Sequence, residues 1–182
     1  KQMSAIAGLV EAEALPLPLA LGVFEAKVDS KLGHARWLHV TVRTAANLLD
    51  QTYDDWARVL LRAPSWEDPW MCRLELGWIL TGYARAVRAA AMRRARWWLS
   101  SSLAGDTFRR AHSSQGATWA KQSEAILQQW GVPDFPTCAV GFQEYKRLVL
   151  QRLRQACLAK RPGGWAPHPS LPPYGLYQVG AS

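Results

Sequence analysis

Apolar runs long enough to span a bilayer are missing from this 182-residue chain. ALPLPLALGVF, residues 14–24, is only eleven residues long and is broken by Pro16 and Pro18, so a membrane helix is not expected, and no signal-peptide pattern surrounds it. Cysteine is scarce: Cys72, Cys138 and Cys157 are odd in number and share no short spacing. That argues against a disulfide framework and for an intracellular, reducing compartment. No CxxC or HxxxH occurs, and His34, His39, His112 and His168 are scattered, so no metal ligand is assigned. No Ser-His-Asp, Cys-His or paired-carboxylate spacing is present either. No catalytic residue and no cofactor is therefore expected, and the chain reads as not an enzyme by itself. Acid is rare in the second half, where residues 85–182 hold four Asp/Glu against fourteen Lys/Arg, a balance of +10. No stretch alternates convincingly at period two, which leaves sheets without a signature.

What is present is helical. Hydrophobic residues make up 49% of the chain and ten of them are tryptophan, enough for one sizeable core. Residues 1–84 carry eight Lys/Arg against ten acids, or −2, so basic charge is segregated to the second half, as in a chain with one polyanion-facing side. The expected fold class is all-α, an irregular bundle of about five to six helices. Residues 1–29 should hold a short helix and a Pro-rich extended segment, because each proline of Leu-Pro-Leu-Pro pushes its predecessor out of the α region. A helical domain follows over 30–161. The tail at 162–182, with five prolines, four glycines and no Lys, Arg, Asp or Glu, should be extended.

Within the domain, Leu38, Val42, Ala45, Leu49, Tyr53, Trp56 and Leu60 step by threes and fours, predicting one amphipathic helix from about Ser30 to Arg62. Ser65 and Asp68 form a loose capping box before a short helix through Trp70, Leu74 and Trp78. Further helices are predicted over Thr81–Ser101, over 117–130 with Gly131 and Pro133 as a stop, and from about Ala139 to Lys160.

Tyr53-Asp54-Asp55 looks like the metal-binding triplet of a polymerase. Such carboxylates sit at a tight turn between apolar strands, with an aromatic two residues before the first aspartate. Here that position is Thr52 and the flanks are helical, so Tyr53 and Trp56 are assigned to a buried stripe and both aspartates to the outside.

RAVRAAAMRRARWW, residues 85–98, carries more chemistry. At 100° per residue, Arg85, Arg88, Arg93 and Arg96 fall within about 140° of one another. Guanidinium groups on one face suit phosphate oxygens, which they engage bidentately. Arg147 and Arg154, seven residues apart on the last helix, are added as candidate phosphate contacts. Arg94 falls among apolar residues and needs a partner.

Residues 56–98 resemble the region after the reverse transcriptase domain in polyproteins of LINE-type (non-LTR) retrotransposons. Those proteins share a Leu-Leu-x-x-Pro helix end, a spacer, then Glu-Leu-Gly and a basic helix, matched here by Leu60, Leu61, Pro64, Glu75, Leu76, Gly77 and Trp78. The catalytic reverse transcriptase motifs, an endonuclease and a C-terminal Cys/His knuckle are all absent from this chain, so no activity carries over. The resemblance implies a non-catalytic part of an RNA-templated DNA-synthesis machine in the nucleus. It would contact an RNA or DNA backbone and the remainder of a parent polyprotein. Beginning at Lys1 rather than Met, the chain reads as a piece of something longer. The competing expectation is a Trp-rich scaffold that docks a protein partner. Exposed Trp66 and Trp70 would favour the scaffold, whereas a contiguous basic surface built by both Arg-bearing helices would favour nucleic acid.

Overall fold

The computed structural model describes residues 2–12, 14–33 and 35–160. The Pro/Gly-rich tail at 162–182 lies outside them. The described residues contain no strand and nine α-helices: α1 Gln2–Glu11, α2 Leu17–Val23, α3 Ser30–Gly33, α4 Arg43–Leu61, α5 Pro69–Glu75, α6 Gly82–Leu99, α7 Leu103–Ser113, α8 Trp119–Gln129 and α9 Phe142–Ala159. The fold is all-α, with more helices than the five to six expected. No helix among the described residues is long and apolar enough to cross a membrane.

The expected extended N-terminal segment is helical instead. Pro16 stands at the N-cap of α2 in an extended conformation and Pro18 falls in the first turn, where a missing N–H leaves no hydrogen bond unmade. From Phe24 to Asp29 the chain widens into a π-helix and runs on into α3 without a break.

The single helix expected over 30–62 is also divided. Arg36–Thr41 tightens into a 3₁₀-helix, Val42 is extended, and α4 starts at Arg43. Leu38 and Val42, expected on the buried stripe, are therefore exposed, while Arg36 and Val40 go inside. From Tyr53 onward the stripe holds: Tyr53, Ala57 and Leu60 are buried, and half-buried Trp56 sets its ring 5.1 Å from that of Phe24.

Two short connections aim the central helix. Asp68, not Ser65, caps α5, accepting from the Trp70 N–H at 2.8 Å. Gly77 then takes a positive φ of 70°, which glycine adopts without a Cβ clash. Thr81 caps α6 through the Ala84 N–H at 3.1 Å. At Gly82 a Cβ would meet the Leu49 carbonyl oxygen at 2.3 Å, so only glycine lets α6 cross α4 this closely.

α6 touches α4, α7, α8, α9 and the 36–41 turn. Its alanines at 84, 86, 90, 91 and 95 are all buried; small side chains let neighbours approach from several sides, which leaves the arginines for the rim. Two hydrophobic clusters flank it. The N-terminal one gathers Ile6, Val10, Phe24, Val28, Tyr53, Leu60 and Trp78, and the other Val87, Leu127, Val132, Tyr145, Val149 and Leu153. α7 falls in a stretch with no predicted element. Ser102 caps it, and Gly105 fits where a Cβ would lie 2.4 Å from the Ser100 carbonyl oxygen. α8 ends as expected, with Gly131 at a φ of 64°. α9 starts after Gly141 rather than at Ala139.

Candidate nucleic-acid interface

A groove of about 520 Å³ opens between α6 and α9. The floor is apolar, formed by Trp78, Ile79, Leu80, Met92 and Leu150, and the walls carry Arg36, Arg85, Arg88, Arg96, Lys146 and Arg154. Against these six cations stands one carboxylate, Asp29, giving the lining a formal charge of +5. Helical spacing explains the gathering. Arg85, Arg88, Met92 and Arg96 step along one side of α6, and Lys146, Leu150 and Arg154, four apart, face them from α9.

Four of the six sequence-selected arginines therefore meet here, in two different states. Arg88 and Arg96 line the groove and make no ion pair with a described residue; the same holds for Arg154 and Lys146. Arg85 is held back. Its guanidinium stacks over the Tyr53 ring at 4.9 Å and the Trp78 ring at 5.5 Å, and lies 4.0 Å from Asp29. Burial lowers its pKa against the opposing pull of Tyr53 and Asp29. Arg93 and Arg147 do not line the groove. Arg93 lies at the edge of the α6 face and stacks instead on Trp37 and Trp97, at 5.3 and 5.6 Å. Arg147 is exposed, about 100° round α9 from Lys146.

Arg36 and Lys146 were not selected from sequence. Lys146 had a signal, four and eight residues before Leu150 and Arg154. Arg36 had none, since it reaches the groove only because the expected long helix breaks. Its Nη2 donates to Asp29 Oδ1 at 2.6 Å and to the Tyr53 hydroxyl at 2.8 Å, and Tyr53 itself donates to Asp29. Burial pushes the Asp29 carboxyl up, but hydrogen bonds from Tyr53 and Arg36 and the charges of Arg36 and Arg85 outweigh it and hold its pKa below the ordinary range. Burial, reinforced by Asp29, raises the Tyr53 phenol. Neither is poised for proton transfer near neutrality. The group anchors one end of the groove as a fixed ionic cluster.

Asp54 and Asp55 form no paired-metal arrangement. Asp55 is exposed and pairs with Arg58 at 3.4 Å, as expected. Asp54 instead turns inward to buried Arg73, 3.1 Å away. Burial raises its pKa despite that partner.

Arg94 finds the partner its position demanded. Only 1% exposed, it bonds Asp134 twice, Nε to Oδ1 at 2.9 Å and Nη2 to Oδ2 at 2.5 Å, and also reaches Ser123 Oγ at 2.9 Å and the Ala120 carbonyl. His112 Nε2 lies 3.0 Å from Glu124 Oε2 and 3.6 Å from Asp134 Oδ2. His112, Glu124 and Asp134 are near enough to share a cation, a grouping the scattered histidines did not suggest. Arg94 already neutralises both Asp134 oxygens, so a metal ion would have to displace a buried guanidinium. The arrangement is that of a structural lock joining α6, α7 and α8.

Comparison with protein-family models, with curated proteins and with solved structures finds no match for this chain.

Proposed function

We propose that the α6–α9 groove binds the phosphate backbone of a nucleic acid, and that the chain is a non-catalytic helical module of a larger nucleic-acid-processing protein. One observation carries the reading: Arg88, Arg96, Lys146 and Arg154 converge on one groove without an ion-pair partner among the described residues. Four unneutralised cations on facing helices repel one another, and a polyanion relieves that repulsion while releasing its own counterions. The resemblance of residues 56–98 to the region after a retrotransposon reverse transcriptase domain supports the same reading. It would place the module in the nucleus, against template RNA or target DNA and beside the rest of its parent polyprotein. The exposed Trp66, 80% accessible on the α4–α5 loop, favours a second role as a protein-docking scaffold, but Trp70 is buried and adds nothing to that surface.

The test is a salt titration of binding to a fluorescein-labelled oligonucleotide, comparing wild type with the quadruple variant Arg88→Gln, Arg96→Gln, Lys146→Gln and Arg154→Gln. On a single strand each neutralised phosphate contributes about 0.7 to the slope of log K against log salt, so losing four contacts should flatten it by roughly 3. A folded quadruple variant with wild-type affinity and slope would overturn the reading.

A further inference from the structure

Beyond the groove's outer end lies a second, smaller hollow. It measures about 210 Å³ and is bounded by Arg96, Leu99, Ser100 and Phe142. Arg96 belongs to both hollows, so a phosphate held by its guanidinium sits at the border between them. On the far side the surface changes character. Leu99 is 59% exposed, and Phe142, in the first turn of α9, is half-buried with Phe135 against it at a ring separation of 6.4 Å and 72° between planes. An exposed leucine beside an accessible aromatic is apolar surface left uncovered at the rim of a basic site. The notch is smaller than the ~300–1,000 Å³ of sites that take a drug-sized ligand; one planar ring suits it.

Resting on the reading of the groove as a phosphate site, we propose that the bound nucleic acid is single-stranded and that one of its bases lodges in the Phe142–Leu99 notch while the adjoining phosphate pairs with Arg96. Every base has an apolar face that stacks on an aromatic ring. In a duplex that face is covered, and exposing it costs a few kcal/mol of unstacking and unpairing. The notch also reads no sequence. Its polar member, Ser100, has both side-chain and backbone oxygens engaged: Oγ donates to Ser102 Oγ at 2.8 Å and accepts from the Ser102 N–H at 3.1 Å, and the carbonyl accepts from Arg109 Nη1 at 2.8 Å. Its backbone N–H is also used, on the Trp97 carbonyl at 3.3 Å, so Ser100 offers no free donor to a base edge. Strand state, not base identity, is what this site selects.

Fluorescence anisotropy on the wild-type chain with three probes tests this: a single-stranded oligothymidylate, a chain of the same length and charge made wholly of abasic sites, and the duplex of the first with its complement. The oligothymidylate should bind about 5- to 150-fold more tightly than the abasic chain, the span of one stacked base, and more tightly than the duplex, with similar salt slopes for the two single-stranded probes. Phe142→Ala should erase the preference for bases and leave the slope unchanged, and Phe142→Trp should restore it. If Phe142→Ala fails to fold, the wild-type comparison of thymidylate with abasic chain still decides. Equal affinity for those two probes with a steep salt slope would remove the notch and leave the groove standing. Absence of salt-dependent binding to all three would remove both.

Discussion

Replacing Arg94 by methionine strips the lock between α6, α7 and α8 of its only fully buried cation while filling a similar space. The guanidinium makes a two-pronged ion pair with Asp134 and further bonds to Ser123 and Ala120. Without it the Asp134 carboxylate, whose side chain is 5% exposed, stays buried without its ion-pair partner, keeping the Phe135 N–H donated to Oδ1 at 3.1 Å and the His112 ring 3.6 Å from Oδ2. Removing one member of such a pair costs about 3–5 kcal/mol, because the survivor remains desolvated. The smaller bonds add little, since Ser123 Oγ retains its own bond to the Ala120 carbonyl at 3.0 Å. For a domain of this size the loss corresponds to a fall in Tm of roughly 6–20 °C. Urea unfolding followed by far-ultraviolet circular dichroism measures it directly. The double variant Arg94→Met, Asp134→Leu removes the orphaned charge and should recover part of the loss, with a coupling of at least about 1 kcal/mol between the two sites. A single variant destabilised by less than about 1 kcal/mol, or two effects that simply add, would show that the pair does not hold these helices together.

Gly82→Ala should cost about 1–3 kcal/mol, because the new methyl would lie 2.3 Å from the Leu49 oxygen and 2.7 Å from the Tyr53 ring; unchanged urea stability would mean that α4 and α6 are less tightly apposed. Trp56→Ala should cost about 3 kcal/mol, the low end for a tryptophan only half-buried, and a near-neutral result would show that the ring packs loosely on Phe24. Asp29 has a lowered pKa, so its contribution is present above its ordinary value of 3.8 and is lost as pH falls through its folded-state value. Wild type should thus exceed Asp29→Asn in stability most clearly above about pH 5, the gap narrowing on acidification; a gap that widens in acid would reverse the assigned sign. Burial raises the thiols of Cys72 and Cys157, and both should resist Ellman's reagent in native protein at neutral pH and react in urea, whereas fast native labelling would place them at the surface.

The parts legible in sequence were those governed by local rules. α6, α8 and α9 follow from three-four periodicity and from glycine stops at fixed offsets, and Arg94 was marked as needing a partner by its angular position alone. The basic face of α6 was visible too, because angular clustering on a helix is a local property. What escaped was decided by tertiary contact. The break at 35–42 buries Arg36 against Asp29 and Tyr53, a gain that no window of neighbours displays, and with it went Arg36 as a groove residue. α7 was hidden because its helical face is polar for most of its length and its glycine is retained for fit, not for a turn. Leu-Pro-Leu-Pro misled because proline forbids a helix interior yet suits a first turn, and only the position of the helix start distinguishes the two. Arg93 stands at the margin of the α6 face, where Trp37 and Trp97 win over the groove.

The widened turn at Phe24–Asp29 is, in topological terms, an α-helix carrying one surplus residue, and its register can be reset by a single deletion. Removing one residue from 25–27 would let Leu17–Gly33 close as ordinary α-helix with its flanking faces still in register, because the wide turn absorbs the extra residue locally. Phe24 and Val28 would then stand three apart and Phe24 and Asp29 four apart, so both pairs would still share a face. The same deletion inside a regular helix such as α4 or α6 would turn everything downstream by about 100°. A one-codon deletion is thus expected to leave the N-terminal cluster and the Asp29–Tyr53–Arg36 group assembled when it falls in this turn, and to scramble a buried face when it falls in α4 or α6.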